Sequence, residues 1–283
     1  MATGLLGGAV VEAPVATSLG KIKCKETTGT RAVDPIVHHN HSATMPGMAH
    51  MHQFFGNNSF LSLPNPNAAN YTDLVGKGTN CENPADTAGY WTPTLHNTTT
   101  GAIVPTAGFT AYYRSWNGRT TGEGVAMPPD TRLVANRFDW TCGQREAVEK
   151  STSIPDCSMA KGTAGSRLTA HVNFPSCWDG VKPTHLSTDM GDTRDNAHFA
   201  YRLNSTTCPP GFPVKVVELR MTIQFAYTGN GTDLALSSDG PMRTTDGRSM
   251  HADFWNTWVQ SGFTTMVRDC INPGRNRTAA RCG

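Results

Sequence analysis

The chain has 283 residues, a formal net charge of +2 and only 16% charged residues. That balance lacks the basic excess that phosphate-driven nucleic-acid binding requires, and no run approaches the roughly 18 apolar residues of a spanning helix. Gly (28 residues) and Pro (18) are abundant, which favours turns and short strands over long helices and leaves a surface of Thr, Ser and Asn suited to a neutral, sugar-like partner.

In chain order, residues 1–21 read as a loosely ordered N-terminal arm, small and apolar without a basic n-region, as a mature terminus left after signal removal. Residues 22–60 hold the densest histidine content. Residues 61–89, rich in Asn, Pro and Gly, read as a long surface loop. Strand-like runs then recur over 89–95, 109–114, 132–135, 137–141 and 168–174. The strongest is 214–227, whose alternation after Pro213 fits one buried and one wet face. One helix is expected over 251–260, stopped by Ser261-Gly262. These elements predict an all-β, single-domain β-sandwich or jelly-roll-like fold over 22–283, with long loops and few short helices.

Eight cysteines stand at 24, 81, 142, 157, 177, 208, 270 and 282. None forms a CxxC pair, so zinc-ribbon and thioredoxin readings have no support. An even number in a chain so poor in charge reads as four disulfides made in an oxidising compartment. Sequence alone leaves many pairings open. Sequential pairing closes the shortest loops: Cys24–Cys81, Cys142–Cys157, Cys177–Cys208 and Cys270–Cys282.

Ten histidines are the outstanding chemical feature. His50 and His52 are two apart, so on a strand they face the same way about 6.5–7 Å apart. They would converge on one ligand or metal, in a tight setting made by Phe54, Phe55 and Gly56. His38, His39 and His41 sit in loop-like sequence and are weaker candidates. His251 and Asp253 set an acid/base or metal ligand beside a carboxylate. His171 lies in strand-like sequence and His198 among small and aromatic residues; a lone histidine of this kind is more often a structural side chain than a functional one. Arg114 is suited to an acidic sugar group or a developing oxyanion, or to a structural ion pair. Trp91, Trp116, Trp178, Trp255 and Trp258 are either sugar-stacking platforms or core. No GxSxG, phosphate loop or HExxH is present. For a glycosidase carboxylate pair, Glu218 and Asp253 are the best placed.

Several motifs, taken in order, resemble the secreted proteins of actinobacteria and fungi that carry the domain of unknown function 1996. They are Asp34-Pro35-Ile36-Val37, His50-Met51-His52-Gln53-Phe54-Phe55-Gly56-Asn57, Tyr90-Trp91-Thr92-Pro93-Thr94-Leu95, Tyr113-Arg114, Phe174-Pro175-Ser176-Cys177-Trp178-Asp179-Gly180, His198-Phe199-Ala200-Tyr201, Cys208-Pro209 and His251-Ala252-Asp253-Phe254-Trp255-Asn256-Thr257-Trp258. The resemblance runs from about Asp34 to Trp258. It implies secretion and, through wall-binding modules in fungal relatives, a link to polysaccharide. It implies no reaction. The segment Val37-His38-His39-Asn40-His41 departs from the family's usual spacer.

The resulting expectation is a secreted, monomeric carbohydrate-active enzyme, with a polysaccharide or oligosaccharide as partner and neither nucleic acid nor membrane. It cleaves glycosidic bonds by hydrolysis or elimination. His50, His52, His171, His198, His251 and Asp253 supply the catalytic groups, while Tyr113, Arg114, Trp116 and Trp178 contact substrate. Either no cofactor is needed or one divalent copper or zinc ion is held by His50, His52 and His251. The alternatives are a non-catalytic carbohydrate-binding or wall-associated protein and an extracellular copper or zinc protein. Substrate, metal and the choice of hydrolysis or elimination stay open at this level.

Overall fold

The computed structural model describes residues 20–36, 49–116, 123–143, 150–158, 166–181, 183, 198–239 and 246–273. Its strands are β1 (Lys21–Cys24), β2 (Glu26–Arg31), β3 (His52–Gly56), β4 (Gly89–Pro93), β5 (Leu95–Asn97), β6 (Thr106–Arg114), β7 (Arg132–Ala135) and β8 (Arg137–Cys142). After these come β9 (Leu168–Asn173), β10 (Cys177–Trp178), β11 (Phe199–Ala200), β12 (Val214–Lys215), β13 (Glu218–Phe225), β14 (Leu234–Leu236) and β15 (Ala252–Trp255). Two short helices are α1 (Tyr71–Leu74) and α2 (Gln260–Thr265).

Two five-stranded antiparallel sheets make an all-β sandwich. One has the order β1-β6-β13-β9-β8, and the other β2-β3-β4-β15-β7. Alternation along each strand explains the packing. On β13, Leu219, Met221, Ile223 and Phe225 point inward, against Phe55, Tyr90 and Phe254 of the second sheet. Glu218 and Arg220, out of phase by one residue, point away from that core.

The second sheet is covered on both faces, which is why β3, β4 and β15 are buried throughout. A second apolar cluster of Phe54, Trp91, Trp255, Phe60, Leu61 and Leu74 covers its outer face. Residues 61–89, expected as a surface loop, are therefore in large part a packing layer. Leu74 of α1 is fully buried, as are Asp86 and Ala88.

A buried polar relay ties the layers together. Trp258 Nε1 donates to Tyr113 Oη at 3.1 Å, Tyr113 and Tyr90 hydroxyls meet at 2.6 Å, and Tyr90 Oη donates to Asp86 at 2.8 Å. Burial raises the Asp86 carboxyl to about 8, against the lowering effect of bonds from Tyr90 and the Ala88 amide. The relay joins β4 to β6 of the facing sheet, so it holds the strand that lies between β3, which begins at His52, and β15, which follows directly on His251.

Three expected disulfides are present: Cys24–Cys81, Cys142–Cys157 and Cys177–Cys208. Cys270 is disulfide-bonded too, while its expected partner Cys282 lies outside the described residues. No helix among the described residues is long and apolar enough to cross a membrane.

Other expectations change. Residues 251–260 are not one helix: Ala252–Trp255 is strand β15, and helix begins only at Gln260. The apolar run fits a strand covered on both faces as well as it fits a helix, and pairing with β4 and β7 decides the matter. The single strand expected over 214–227 is divided between β12, which joins a small sheet with β10 and β11, and β13 in the sandwich. Residues 1–19 of the expected arm lie outside the described residues, whereas Lys21 already pairs with Tyr112.

Candidate metal centre

The site follows from strand registry. β3 and β15 flank β4 and are each antiparallel to it, so they run parallel to one another. His52 pairs with Pro93 and Asp253 with Trp91. The registry extends to place residue 251 beside the same end of β4. The starts of β3 and β15, about 10 Å apart at two strand spacings, therefore aim side chains at each other across Pro93. His52 and Asp253 share the outer face with Phe54, Trp91 and Trp255, under the layer formed by residues 57–75.

His50 Nε2 and His251 Nε2 are 3.1 Å apart. The rings of His50 and His52 have centroids 4.2 Å apart, and those of His52 and His251 5.9 Å. One ligand-capable atom from each of the three lies within 4.8 Å of the other two. Asp34 and Asp253 form a second such group with His52, so carboxylates flank the imidazoles on one side. Asp253 Oδ2 is 3.9 Å from His251 Nε2.

Backbone contacts fix two tautomers. His52 Nδ1 lies 2.9 Å from the Val33 carbonyl, and His251 Nδ1 lies 2.9 Å from the Ser249 carbonyl. A carbonyl only accepts, so both Nδ1 atoms carry protons and both Nε2 atoms present lone pairs. His52 Nε2 is buried with no hydrogen-bond partner among the described residues. Desolvation, then the nearby His50 and His251, hold His52 well below its ordinary value of 6.5. Desolvation also lowers His251, partly offset by the Ser249 carbonyl. Both are neutral at pH 7, the form that ligates metal.

The donors fit a divalent transition ion. Nitrogen ligands sit about 2.0–2.1 Å from zinc. Two of them 3.1 Å apart subtend roughly 95–100° at such an ion, near tetrahedral. A carbonyl bonded to the far ring nitrogen is the usual outer support for ligating histidines. The grouping of Cys24, Cys81 and Asp86 is not comparable, because its sulfurs form a disulfide and offer no thiolate.

The remaining candidates lie elsewhere. His171 is buried on β9 of the other sheet, bonded to Thr141 and Thr222 hydroxyls at 3.1 and 3.0 Å, and does not join the cluster. His198 Nδ1 meets Asp179 Oδ2 at 2.6 Å beside the small sheet. Tyr113 and Trp116 are buried, Tyr113 in the relay and Trp116 through its bond to the Val216 carbonyl at 2.8 Å, so neither presents a ring to substrate. Trp178 is half-buried and stacked on Phe199. Arg114 ends β6 in the other sheet, and Glu218 lies opposite it in the register. Glu218 therefore cannot pair with Asp253, which projects from the far face of the sandwich. His38, His39 and His41 lie outside the described residues. Sequence reasoning missed Asp34 as a flanking carboxylate, although its Asp34-Pro35-Ile36 motif marked the segment, and missed the Val33 and Ser249 carbonyls, which carry no side-chain signal.

Fold and site together define a disulfide-stapled β-sandwich protein with a three-imidazole cluster at one end of a doubly covered sheet. The family model described as Domain of unknown function (DUF1996) matches residues 34–258, and the chain belongs to that family. No curated protein and no solved structure matches it.

Proposed function

We propose that this chain is an extracellular metalloprotein in which His50, His52 and His251 hold one zinc or copper ion, and that the centre cleaves glycosidic bonds of a polysaccharide. The observation that carries the reading is the meeting of three imidazoles at the starts of two strands, with the His52 and His251 lone pairs oriented by backbone carbonyls. An ion bound there supplies Lewis acidity and an acidified water. Asp253, fully buried 3.9 Å from His251 Nε2, supplies a carboxylate beside the ion's position, and the partly exposed His50 faces approaching ligand. The disulfides favour an oxidising compartment, and the low charge favours a carbohydrate substrate.

The test starts from protein purified without a histidine tag. Elemental analysis after zinc or copper loading should return one ion per chain, and none for His52→Ala. A panel of polysaccharides, read by reducing ends and by ultraviolet absorbance of unsaturated products, should show cleavage that a chelator abolishes and the ion restores. Folded protein that retains no ion would refute the centre. The His50–His251 contact at 3.1 Å also supports metal-free proton transfer; cleavage undiminished by chelator would favour that reading.

A further inference from the structure

Two of the three imidazoles stand outside the paired register of the sheet. β3 begins at His52 and β15 at Ala252, so strand pairing fixes His52 but stops short of both His50 and His251. These are the two rings that meet at 3.1 Å. A ligand set is effective only when its members are held in place by their surroundings, so these two segments need holders other than the ladder.

Both are held from one place. A short helical turn, Ser237–Asp239, follows directly on β14. At its start, the Ser237 hydroxyl donates to the Met51 carbonyl, between His50 and His52, at 2.6 Å. The Thr94 amide donates to the same oxygen at 2.9 Å. At its end, the Asp239 carboxylate accepts from the Ser249 hydroxyl, which the Ser238 hydroxyl also meets at 2.6 Å. Ser249 is the residue whose carbonyl receives the His251 Nδ1 proton at 2.9 Å. Hydrogen bonds to a carboxylate are about twice as strong as neutral ones, so Asp239 is a firm anchor for that arm.

The turn is itself anchored. The Ser237 amide donates to the Thr94 carbonyl at 2.9 Å, and Asp239 Oδ2 accepts from the Leu236 amide at 2.7 Å. β14 pairs with β5, and Leu234, Leu236 and Leu95 of that pair are buried in the main core.

We infer that Ser237, Asp239 and Ser249 are positioning residues of the histidine cluster: the turn Ser237–Asp239 clamps the segment bearing His50 to the segment bearing His251 and presets how their rings meet. Fixing the Ser249 carbonyl holds the His251 proton on Nδ1; a ring released from it also adopts the Nε2–H tautomer, which offers no lone pair toward His50. The consequence for metal affinity rests on the metal reading above, whereas the presetting of the rings does not.

The experiment uses the full chain and two readouts. In chelator at mildly alkaline pH, long-range proton–nitrogen correlation spectra show which ring nitrogen of His251 carries the proton. The parent should show Nδ1–H alone, while Ser249→Ala and Asp239→Ala should show both tautomers. Ser249→Thr, which keeps the hydroxyl, should restore the parent pattern. Cobalt titration, followed by visible absorption and by competition with a chromophoric chelator, is the second readout. Ser237→Ala and Asp239→Ala should bind cobalt about 10–100-fold more weakly at unchanged melting temperature, and Ser249→Thr should bind like the parent. Ser115→Ala, which removes a half-buried hydroxyl just past β6 on the other sheet, should leave both readouts unchanged. Parent tautomers in Ser249→Ala and Asp239→Ala would overturn the clamp, as would full cobalt affinity in Ser237→Ala and Asp239→Ala. Tautomer mixing in these variants of a chain that takes up no cobalt would support the clamp and refute the metal reading.

Discussion

Replacing Asp86 with Asn should change how stability depends on pH. Asp86 is fully buried, and its carboxyl is raised to about 8 from the ordinary 3.8. Between those values the folded chain keeps a proton that the unfolded chain has released. The unfolded state binds fewer protons there, so stability falls as pH rises. Each unit corresponds to about 1.36 kcal/mol, so the span of about four units sets a ceiling near 6 kcal/mol. Asn keeps a carbonyl oxygen to accept the Tyr90 hydroxyl and never ionises. The two proteins should therefore differ by about 1 kcal/mol or less near pH 4.5, while Asp86→Asn should be several kcal/mol more stable at pH 8. At roughly 2–4 °C per kcal/mol for a chain of this size, the melting temperatures should separate by about 10 °C or more. The assay is thermal unfolding by near-ultraviolet circular dichroism from pH 4.5 to 8.5, with chelator in both samples. The depressed histidines His52 and His251 contribute the opposite slope, stability lost as pH falls below 6.5, but equally in both proteins. Parallel curves across the range would refute the reasoning.

Other outcomes follow from the same geometry. Asp253→Asn should leave the fold intact and weaken zinc or copper binding by about 10–100-fold, read by competition with a chromophoric chelator; unchanged affinity would remove Asp253 from the ion's surroundings. Gly56 has φ +81°, and a Cβ there would meet the Ala88 carbonyl oxygen at 2.3 Å, so Gly56→Ala should cost about 2–4 kcal/mol in urea unfolding. Because Gly56 ends the strand that carries His52, the same variant should weaken the metal site, and a neutral result would contradict the described β3–β4 approach. Replacing Cys142 and Cys157 together with Ser opens a bridge spanning 15 positions and should cost about 3 kcal/mol, visible as a lowered urea midpoint.

Much of this architecture was legible before any coordinates. Strand periodicity in 109–114, 132–135 and 168–174 marked real strands, because alternation reports local geometry directly. Cysteine spacing yielded three bridges correctly, since short loops close at least entropic cost. The His50-Met51-His52 spacing was readable as two imidazoles on one strand face, whereas β3 begins only at His52 and His50 reaches the cluster from the segment before it. The segment 251–260 failed because Ala252–Trp255 is covered on both faces, and an apolar run without alternation does not distinguish strand from helix.

The sequence by itself determined the β class, three of the disulfide staples and the pool of imidazoles from which a site could be drawn, since each depends on residue type and near-neighbour spacing. Only the tertiary structure decided that His251 joins His50 while His171, His198 and Arg114 do not. That choice depends on β4 lying between β3 and β15 and on the registry that aligns their starts. Sheet order over two hundred positions leaves no local trace. It is set by which faces can be buried together, and no single stretch of chain contains that information.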